Sequence, residues 1–226
     1  MTARGRILVK EPIADSGIAL LREHFDVDLG DDWTDAELAD RIGAYDGIVI
    51  RSATQLTADL IARADRLRVI GRAGIGVDNV DVAAATERGI LVVNAPTANL
   101  MSATEHTFAM MLAVARNVPA ADASMKRGEW DRKTFVGVEL QGKTLGIVGL
   151  GRIGQRVASR ARAFEMRVVA YDPFLEAEQA KRIGVELLEL DELMKQSDVV
   201  TLHTPFSKAT KNLIDARRLG LMKPGA

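Results

Sequence analysis

The chain has 226 residues, 47% of them hydrophobic and 27% charged, which is ordinary for a globular protein of one large or two small domains. Its net charge of −1 gives no reason to expect nucleic-acid or membrane partners. The absence of cysteine excludes disulfides and thiol chemistry, and the presence of only three histidines argues against a metal site. No apolar run approaches the roughly 18 residues that cross a membrane, so we expect a cytoplasmic protein.

The first part of the chain alternates predicted strands with predicted helices. The strands are expected at residues 6–9, 27–29, 47–50, 67–70 and 90–93, and the helices at 12–25, 34–42, 57–64 and 82–88. Thr34 begins a capping box with Glu37, and Thr57 is a plausible N-cap. This alternation predicts a parallel sheet, so residues 1–98 are expected to form a first α/β domain without a dinucleotide-binding turn.

A linker at residues 94–99 is followed by an apolar helix at 102–117. Its apolar surface is wider than one stripe, which predicts burial on more than one side, in the core or at a domain or subunit interface. His106 on this helix is expected to be a core or interface residue. A second helix is predicted from Pro119 to about residue 128, and then a polar connection at 129–142 anchored by Trp130 and Phe135.

The stretch from Thr144 to Asp172 has the order that a dinucleotide site requires. A strand at 145–148 runs into the turn Gly149-Leu150-Gly151-Arg152-Ile153-Gly154, a helix extends to residue 164, and a strand at 167–171 ends on Asp172. Further elements are predicted at 175–183, 185–187, 191–195, 198–202 and 215–222.

Each residue of this turn has a separate predicted role. Gly149 permits a tight turn, Gly151 lets the backbone approach a pyrophosphate, and Gly154 lets the helix pack on the strand. The helix N-terminus offers N–H donors and partial positive charge to phosphates. Asp172 lies 18 residues after Gly154, where a carboxylate accepts both ribose hydroxyls and repels a 2′-phosphate, so we expect NAD rather than NADP.

Two alternatives accompany this interpretation. A glycine turn alone is also found in ordinary loops, and only the surrounding strand, helix and acid favour a dinucleotide site. A doubly wound dinucleotide domain needs two mononucleotide halves, but the residues after Gly149 suffice for one half and the start of the next. We therefore expect a truncated chain or fragment, with a compact single-half domain as the alternative.

Several motifs in order along almost the whole chain resemble those of the D-isomer-specific 2-hydroxyacid dehydrogenases. They are Val49-Ile50-Arg51-Ser52-Ala53-Thr54, Ile70-Gly71-Arg72-Ala73-Gly74-Ile75-Gly76-Val77-Asp78-Asn79-Val80-Asp81, Asn94-Ala95-Pro96, the stretch from Gly142 to Gly154, Tyr171-Asp172-Pro173 and Leu202-His203-Thr204-Pro205. The resemblance implies two doubly wound parallel-sheet α/β domains with an active-site cleft between them. Residues 1–98 would form a flavodoxin-like substrate domain lacking its returning C-terminal segment, and residues 99–226 an incomplete Rossmann NAD domain.

The expected substrate site lies at the carboxyl ends of strands in the first domain, where ligands of open parallel sheets bind. Arg51, with the neighbouring Ser52, and Arg72 follow two such strands and suit a substrate that carries phosphate and carboxylate. The turn Gly74-Ile75-Gly76 offers N–H groups for the substrate carboxylate. The alternatives are solvated arginines and a plain turn.

Two weaker substrate candidates follow in the sequence. Asn99 is a possible polar contact to the substrate, although asparagine is common in linkers. Arg132, beside Lys133, adds positive charge to the site from the same or a neighbouring subunit, unless it belongs to a solvated connection.

For the cofactor, the resemblance implies contacts from Ile75 to the nicotinamide and from the N–H groups of Arg152 and Ile153 to the pyrophosphate. It places His203, Thr204 and Pro205, which follow a strand end, against another edge of the cofactor. His203 is also conceivable as an acid or base, but a loop histidine without a catalytic role is the favoured interpretation.

The resemblance implies reversible NAD-dependent oxidation of the C2 hydroxyl of D-3-phosphoglycerate to 3-phosphohydroxypyruvate, the first step of L-serine biosynthesis, by a homodimer or homotetramer. The family's catalytic arginine, glutamate and histidine are expected beyond Ala226, so we predict no catalytic residue in this chain and no activity of the chain alone. The alternatives are a sibling dehydrogenase acting on glycerate, glyoxylate, hydroxypyruvate or lactate, and a non-catalytic NAD-binding protein of the corepressor kind.

Overall fold

The computed structural model describes residues 4–226, so the first three residues of the predicted first domain lie outside the described range. The chain divides into two compact units, of which the first ends at Asn99 and the second begins at Leu100. Each unit is built on its own parallel sheet, which confirms the predicted α/β class.

The first unit alternates strands and helices from Arg6 to Asn94. Its elements are β1 Arg6–Val9, α1 Asp15–His24, β2 Asp26–Leu29, α2 Asp35–Arg41, a 3₁₀ turn at Ile42–Ala44, β3 Gly47–Ile50, α3 Ala58–Ala62, β4 Val69–Arg72, α4 Val82–Glu87 and β5 Leu91–Asn94.

The first sheet has the strand order β2-β1-β3-β4-β5, which is the flavodoxin-like doubly wound order. Leu8, Ile48 and Ile70 stand in register on neighbouring strands and are buried in one core with residues of α2, α3 and α4. The direction of winding reverses between β1 and β3, so the crevice at their carboxyl ends is where this topology favours a ligand.

The second unit opens with two helices and continues with a second parallel sheet. Its elements are α5 Leu100–Ala115, α6 Val118–Lys126, β6 Thr144–Val148, α7 Arg152–Ala163, β7 Arg167–Tyr171, α8 Ala177–Arg182, β8 Glu186–Leu187, α9 Leu190–Gln196, β9 Val199–Leu202 and α10 Ala216–Leu219.

The second sheet has the order β8-β7-β6-β9, which is one mononucleotide half followed by the first strand of the next. Because successive side chains of a strand point to opposite faces, Ile147 joins the core beneath α5 and α7, whereas Val148 joins the core beneath α9. All five residues of β6 are buried, as expected for a central strand that is covered on both faces.

The local signals for helix starts are confirmed. Thr34 accepts from the N–H of Glu37, whose carboxylate accepts from the N–H of Thr34, and Thr57 caps α3 by accepting from the N–H of Leu60. Strand β4 begins two residues later than predicted and includes Arg72, because Val69 and not Leu67 pairs with Gly47 on β3.

Three features of the second unit are more exposed within this chain than predicted for a core position. The buried residues of α5 are Leu100, Thr104, Phe108 and Met111, which form one stripe at helical spacing, so this chain does not bury the helix on a second side, and cover by a subunit interface stays a prediction. His106 is exposed and is therefore not a core residue, and its alternative place at an interface stays a prediction. Trp130 is 76% exposed and belongs to none of the hydrophobic clusters of the described residues, whereas Phe135 is half-buried. Among residues 4–226, no helix is both long and apolar enough to span a bilayer.

Candidate functional site

The turn after β6 begins with a residue that only glycine suits. Gly149 has φ +95, a backbone conformation that L side chains rarely adopt, and its N–H donates to the carbonyl of Tyr171 at 2.8 Å. A Cβ at this position would lie 2.7 Å from the carbonyl oxygen of His203. The end of β6 therefore passes close to the chain that leaves β9, at the point where the second sheet reverses its winding.

The other two glycines of the turn have opposite surroundings. A Cβ at Gly154 would collide with the carbonyl oxygen of Gly149, so this glycine lets the first turn of α7 pack against the strand end. A Cβ at Gly151 would meet no described atom within 4 Å. The space beside Gly151 is open, as a pyrophosphate lying against the backbone requires.

Helix α7 begins at Arg152, directly after Gly151. The N-cap position is Gly151, which has no side chain that could bond to the first turn. Backbone N–H groups at a helix N-terminus, together with the helix dipole, favour phosphate oxygens, so the predicted roles of Arg152 and Ile153 are compatible with their position.

Asp172 follows β7 and its carboxylate is held by two backbone donors. One oxygen accepts from the N–H of Leu150 at 2.8 Å and the other from the N–H of Phe174 at 2.9 Å. The side chain is half-buried beside the glycine turn, and a carboxylate has about four acceptor positions, so acceptors remain for ribose hydroxyls. The glycine turn and the acid, which were predicted to act together, are in direct contact.

The residues after β9 complete this edge of the sheet. The N–H of His203 donates to the carbonyl of Val148 at 2.8 Å, and Thr204 would lie 3.0 Å from a Cβ on Gly149. The imidazole Nε2 of His203 lies 3.1 Å from the hydroxyl of Thr201, and burial lowers the pKa of this imidazole. The favoured interpretation of His203 as a loop histidine without a catalytic role stays a prediction. Pro205 is exposed and its carbonyl accepts from Thr210.

Together, these residues form a cradle that fits a dinucleotide: an open backbone face at Gly151, the N-terminus of α7 directly after it, and a fixed carboxylate at Asp172. The backbone face and the helix N-terminus would hold the pyrophosphate, and the carboxylate would hold a ribose.

In the first unit, Arg51 follows β3 at the reversal point of the first sheet. Its side chain is exposed, and Nη1 lies 3.3 Å from the carbonyl of Pro12. Ser52 is exposed beside it. Both side chains therefore remain accessible in the unit that carries them.

Arg72 is the last residue of β4 and pairs with Ile50 and Asn94 on the neighbouring strands. Its guanidinium folds over Gly74, close to the place that a Cβ on this residue would occupy. The Nε of Arg72 is buried and has no hydrogen-bond partner among residues 4–226. A buried donor without an acceptor costs free energy.

The turn at residues 74–76 is only partly available as an anion site. The N–H of Gly74 donates to the carbonyl of Arg72 at 2.8 Å, so this donor is already used and the prediction is corrected for Gly74. The carbonyl of Ile75 accepts from the side chain of Asn94 at 2.6 Å. The N–H groups of Ile75 and Gly76 are the candidates that remain for a substrate carboxylate.

The last two substrate candidates lie at different places in the chain. Asn99 is exposed and is the last residue of the first unit. Arg132 is exposed in the segment between α6 and β6 of the second unit.

Within the described chain, no cluster of three or more histidine, aspartate or glutamate side chains could hold a metal ion.

Sequence reasoning missed two residues that hold Arg51 in place. Glu11, two residues after β1, accepts from the N–H groups of Arg51, Ala53 and Thr54, and buried Asn79 donates to the carbonyls of Arg51 and Thr54. In the sequence, Glu11 is marked only by its position shortly after a predicted strand, and Asn79 only by its place in the family-like motif that begins at Ile70.

The model of the D-isomer specific 2-hydroxyacid dehydrogenase NAD binding domain matches residues 108–226. A D-3-phosphoglycerate dehydrogenase of Methanocaldococcus jannaschii is 50% identical over 222 residues, covering 98% of this chain and 42% of that relative. The chain therefore spans less than half the length of this curated relative.

Solved structures agree with this match. The TT0316 protein from Thermus thermophilus has a TM-score of 0.87 at 38% identity, covering 96% of this chain and 70% of that one. The D-lactate dehydrogenase from Aquifex aeolicus, solved with NAD and lactic acid, has a TM-score of 0.83 at 29% identity, covering 96% and 66%. The chain therefore belongs to the D-isomer specific 2-hydroxyacid dehydrogenases and carries the NAD binding domain of that family.

Proposed function

We propose that this protein oxidises the C2 hydroxyl of D-3-phosphoglycerate reversibly with NAD, which forms 3-phosphohydroxypyruvate in the first step of L-serine synthesis. The curated relative that is 50% identical is a D-3-phosphoglycerate dehydrogenase, but the chain covers only 42% of its length.

The observation that carries the proposal is the pair of arginines in the first unit. Arg51 is exposed after β3, and Arg72 at the end of β4 has a buried Nε without a partner in the described chain. Neighbouring strands place both residues at the carboxyl edge of one sheet, where ligands of this topology bind. Two guanidiniums suit a substrate with a phosphate and a carboxylate better than one with a single anionic group.

Bound NAD would supply the acceptor for the hydride that leaves C2. The chain's own residues bind and orient the substrate and the cofactor. In this proposal Arg51 and Arg72 hold the anionic groups of the substrate, Asp172 holds a ribose, and the turn at Gly151 lies against the pyrophosphate.

The test compares two substrates that differ only in the phosphate. In the full-length protein, Arg51→Ala with Arg72→Ala should raise the KM for reduction of 3-phosphohydroxypyruvate far more than the KM for hydroxypyruvate. The matched control is Arg68→Ala, because Arg68 is exposed at the amino end of the strand that carries Arg72 at its carboxyl end. Equal effects of the double substitution on both substrates would refute the assignment of a phosphorylated substrate.

The same assays separate the alternatives. A structural relative at 29% identity is a D-lactate dehydrogenase solved with NAD and lactic acid, so a sibling 2-hydroxyacid dehydrogenase is the second candidate. It would reduce an unphosphorylated keto acid at least as well as the phosphorylated one. A non-catalytic NAD-binding protein would bind the cofactor in a titration and turn over neither substrate.

The proposal includes a homodimer or homotetramer. Helix α5 leaves Met101, Met110 and Val114 exposed on the flanks of its buried stripe, and a second copy would cover such apolar surface. We also propose that Arg132 adds positive charge to a substrate site and that the protein is cytoplasmic, in keeping with a sequence without cysteine.

A further inference from the structure

The backbone at residues 51–54, here called the arginine loop, is held by a side chain from another strand end. The carboxylate of Glu11 accepts from the N–H of Arg51 at 2.8 Å, of Ala53 at 3.1 Å and of Thr54 at 2.9 Å. The carbonyl of the next residue, Pro12, accepts from the guanidinium of Arg51 at 3.3 Å. The segment after β1 therefore contacts both the backbone and the side chain of Arg51.

A second side chain holds the same loop through its carbonyl groups. The amide nitrogen of Asn79 donates to the carbonyl of Arg51 at 2.8 Å and to that of Thr54 at 2.7 Å, and Asn79 is only 5% exposed. The backbone around it is tied down as well, since Leu56 donates its N–H to the carbonyl of Asn79 and pairs with Val80. Glu11 therefore holds the N–H groups of the arginine loop, and Asn79 holds its carbonyl groups.

The N–H donors around Glu11 stabilise the ionised form of its carboxyl group. Burial by itself raises the pKa of Glu11, but the N–H donors of Thr54, Ala53 and Arg51 outweigh it and hold the pKa at about 2. The carboxylate is ionised at neutral pH, and hydrogen bonds from N–H groups to an ionised acceptor are stronger than those between neutral groups.

This arrangement also restricts how the arginine loop can bind an anion. Three of its N–H groups already donate to Glu11, so a substrate phosphate cannot take them without displacing that carboxylate. The side chains of Arg51 and Ser52 are exposed and remain available.

We propose that Glu11, assisted by Asn79, is a positioning residue that presents the Arg51 guanidinium to the phosphate of the substrate. The inference rests on the proposed function, because it requires Arg51 to bind that phosphate. Glu11 acts only through the arginine loop and does not touch the substrate itself.

The first test measures Glu11→Gln in the full-length protein. Misplacement of a binding group by about 1 Å costs up to roughly 100-fold, so the KM for 3-phosphohydroxypyruvate should rise roughly 10- to 100-fold. The kcat, the KM for hydroxypyruvate and the affinity for NAD should stay within about twofold, because none of them depends on Arg51.

The matched control is Asp46→Asn. Asp46 also accepts a backbone N–H, from Arg6 at 2.8 Å, and stands before β3 at the opposite end of the same strand. If both substitutions lower the melting temperature but only Glu11→Gln raises the KM for the phosphorylated substrate, a general loss of stability is excluded as the cause.

The decisive test is a double-mutant cycle with Arg51→Ala. If Glu11 acts through Arg51, Glu11→Gln has no further effect on the KM once Arg51 is alanine. An unchanged fold-effect in the Arg51→Ala background, or no effect of Glu11→Gln on its own, overturns the positioning role and leaves the proposed function intact. No effect of Arg51→Ala overturns both. Should Glu11→Gln fail to fold, Glu11→Asp keeps the charge, shortens the reach and enters the same cycle.

Discussion

Substitution of Asp172 by alanine tests the cofactor site most directly. The carboxylate accepts from the N–H groups of Leu150 at 2.8 Å and Phe174 at 2.9 Å, which fixes it beside the glycine turn where a ribose is expected. A hydrogen bond to a charged group contributes about 1.5–3 kcal/mol, which corresponds to roughly 10- to 150-fold in affinity. We expect Asp172→Ala to raise the Kd for NAD by at least about tenfold.

The same substitution should change the discrimination between cofactors. A 2′-phosphate near an ionised carboxylate is repelled by up to about 4 kcal/mol for charges about 4 Å apart at an effective dielectric constant of about 20. Removing the carboxylate removes this repulsion, so the ratio of the Kd for NADP to the Kd for NAD should fall by at least about tenfold. Calorimetric or fluorescence titration with both cofactors measures the two constants.

A matched control is available in the same sheet. Asp198 accepts from the N–H of Thr144 at 2.7 Å and pairs with Lys223 at 3.0 Å, at the amino ends of β9 and β6 and hence at the opposite edge from Asp172. Asp198→Asn should lower the melting temperature and leave the Kd for NAD unchanged. An unchanged NAD affinity in Asp172→Ala, or an equal loss in both variants, would show that Asp172 does not hold the ribose.

Two further predictions concern the glycine turn and Glu11. Gly154→Ala should destabilise the second unit by about 1–3 kcal/mol, because its Cβ meets the carbonyl of Gly149, whereas Gly151→Ala, with open space around it, should keep the melting temperature and weaken NAD binding. Equal melting temperatures of the two variants in a calorimetric scan would contradict this difference. Because the pKa of Glu11 falls from its ordinary 4.5 to about 2 on folding, its contribution to stability is complete above pH 4.5 and is lost as the pH falls towards 2. In denaturant titrations between pH 4.5 and about 2, the free energy of unfolding should therefore decline less steeply for Glu11→Gln than for the unsubstituted protein. An identical decline in both proteins would refute the lowered pKa of Glu11.

Much of the fold was predictable because its signals are local. Thr34 and Thr57 cap helices with partners three residues away, and the uninterrupted apolar residues of β6 indicate a strand that is covered on both faces. The turn from Gly149 to Gly154 was recognisable for the same reason, since its strand, glycines and helix follow one another in the sequence.

The expectations that failed concern what surrounds an element. The apolar width of α5 was read as burial on several sides, but the chain by itself covers only one stripe, and Trp130 is exposed although it is large and apolar. Hydrophobicity predicts that a surface prefers to be covered, and it does not say whether this chain or another molecule covers it.

The amino-acid sequence was sufficient for the order of strands and helices, the dinucleotide turn and the family, because these depend on neighbours within a few residues. The hydrogen bonds that connect Glu11 and Asn79 to the arginine loop could be found only in the tertiary structure. Glu11 and Arg51 are 40 residues apart in the chain, and only the pairing of β1 with β3 brings the carboxylate to the N–H groups that it holds. Sheet order is a long-range property, so the partner of a strand end cannot be read from the residues beside it.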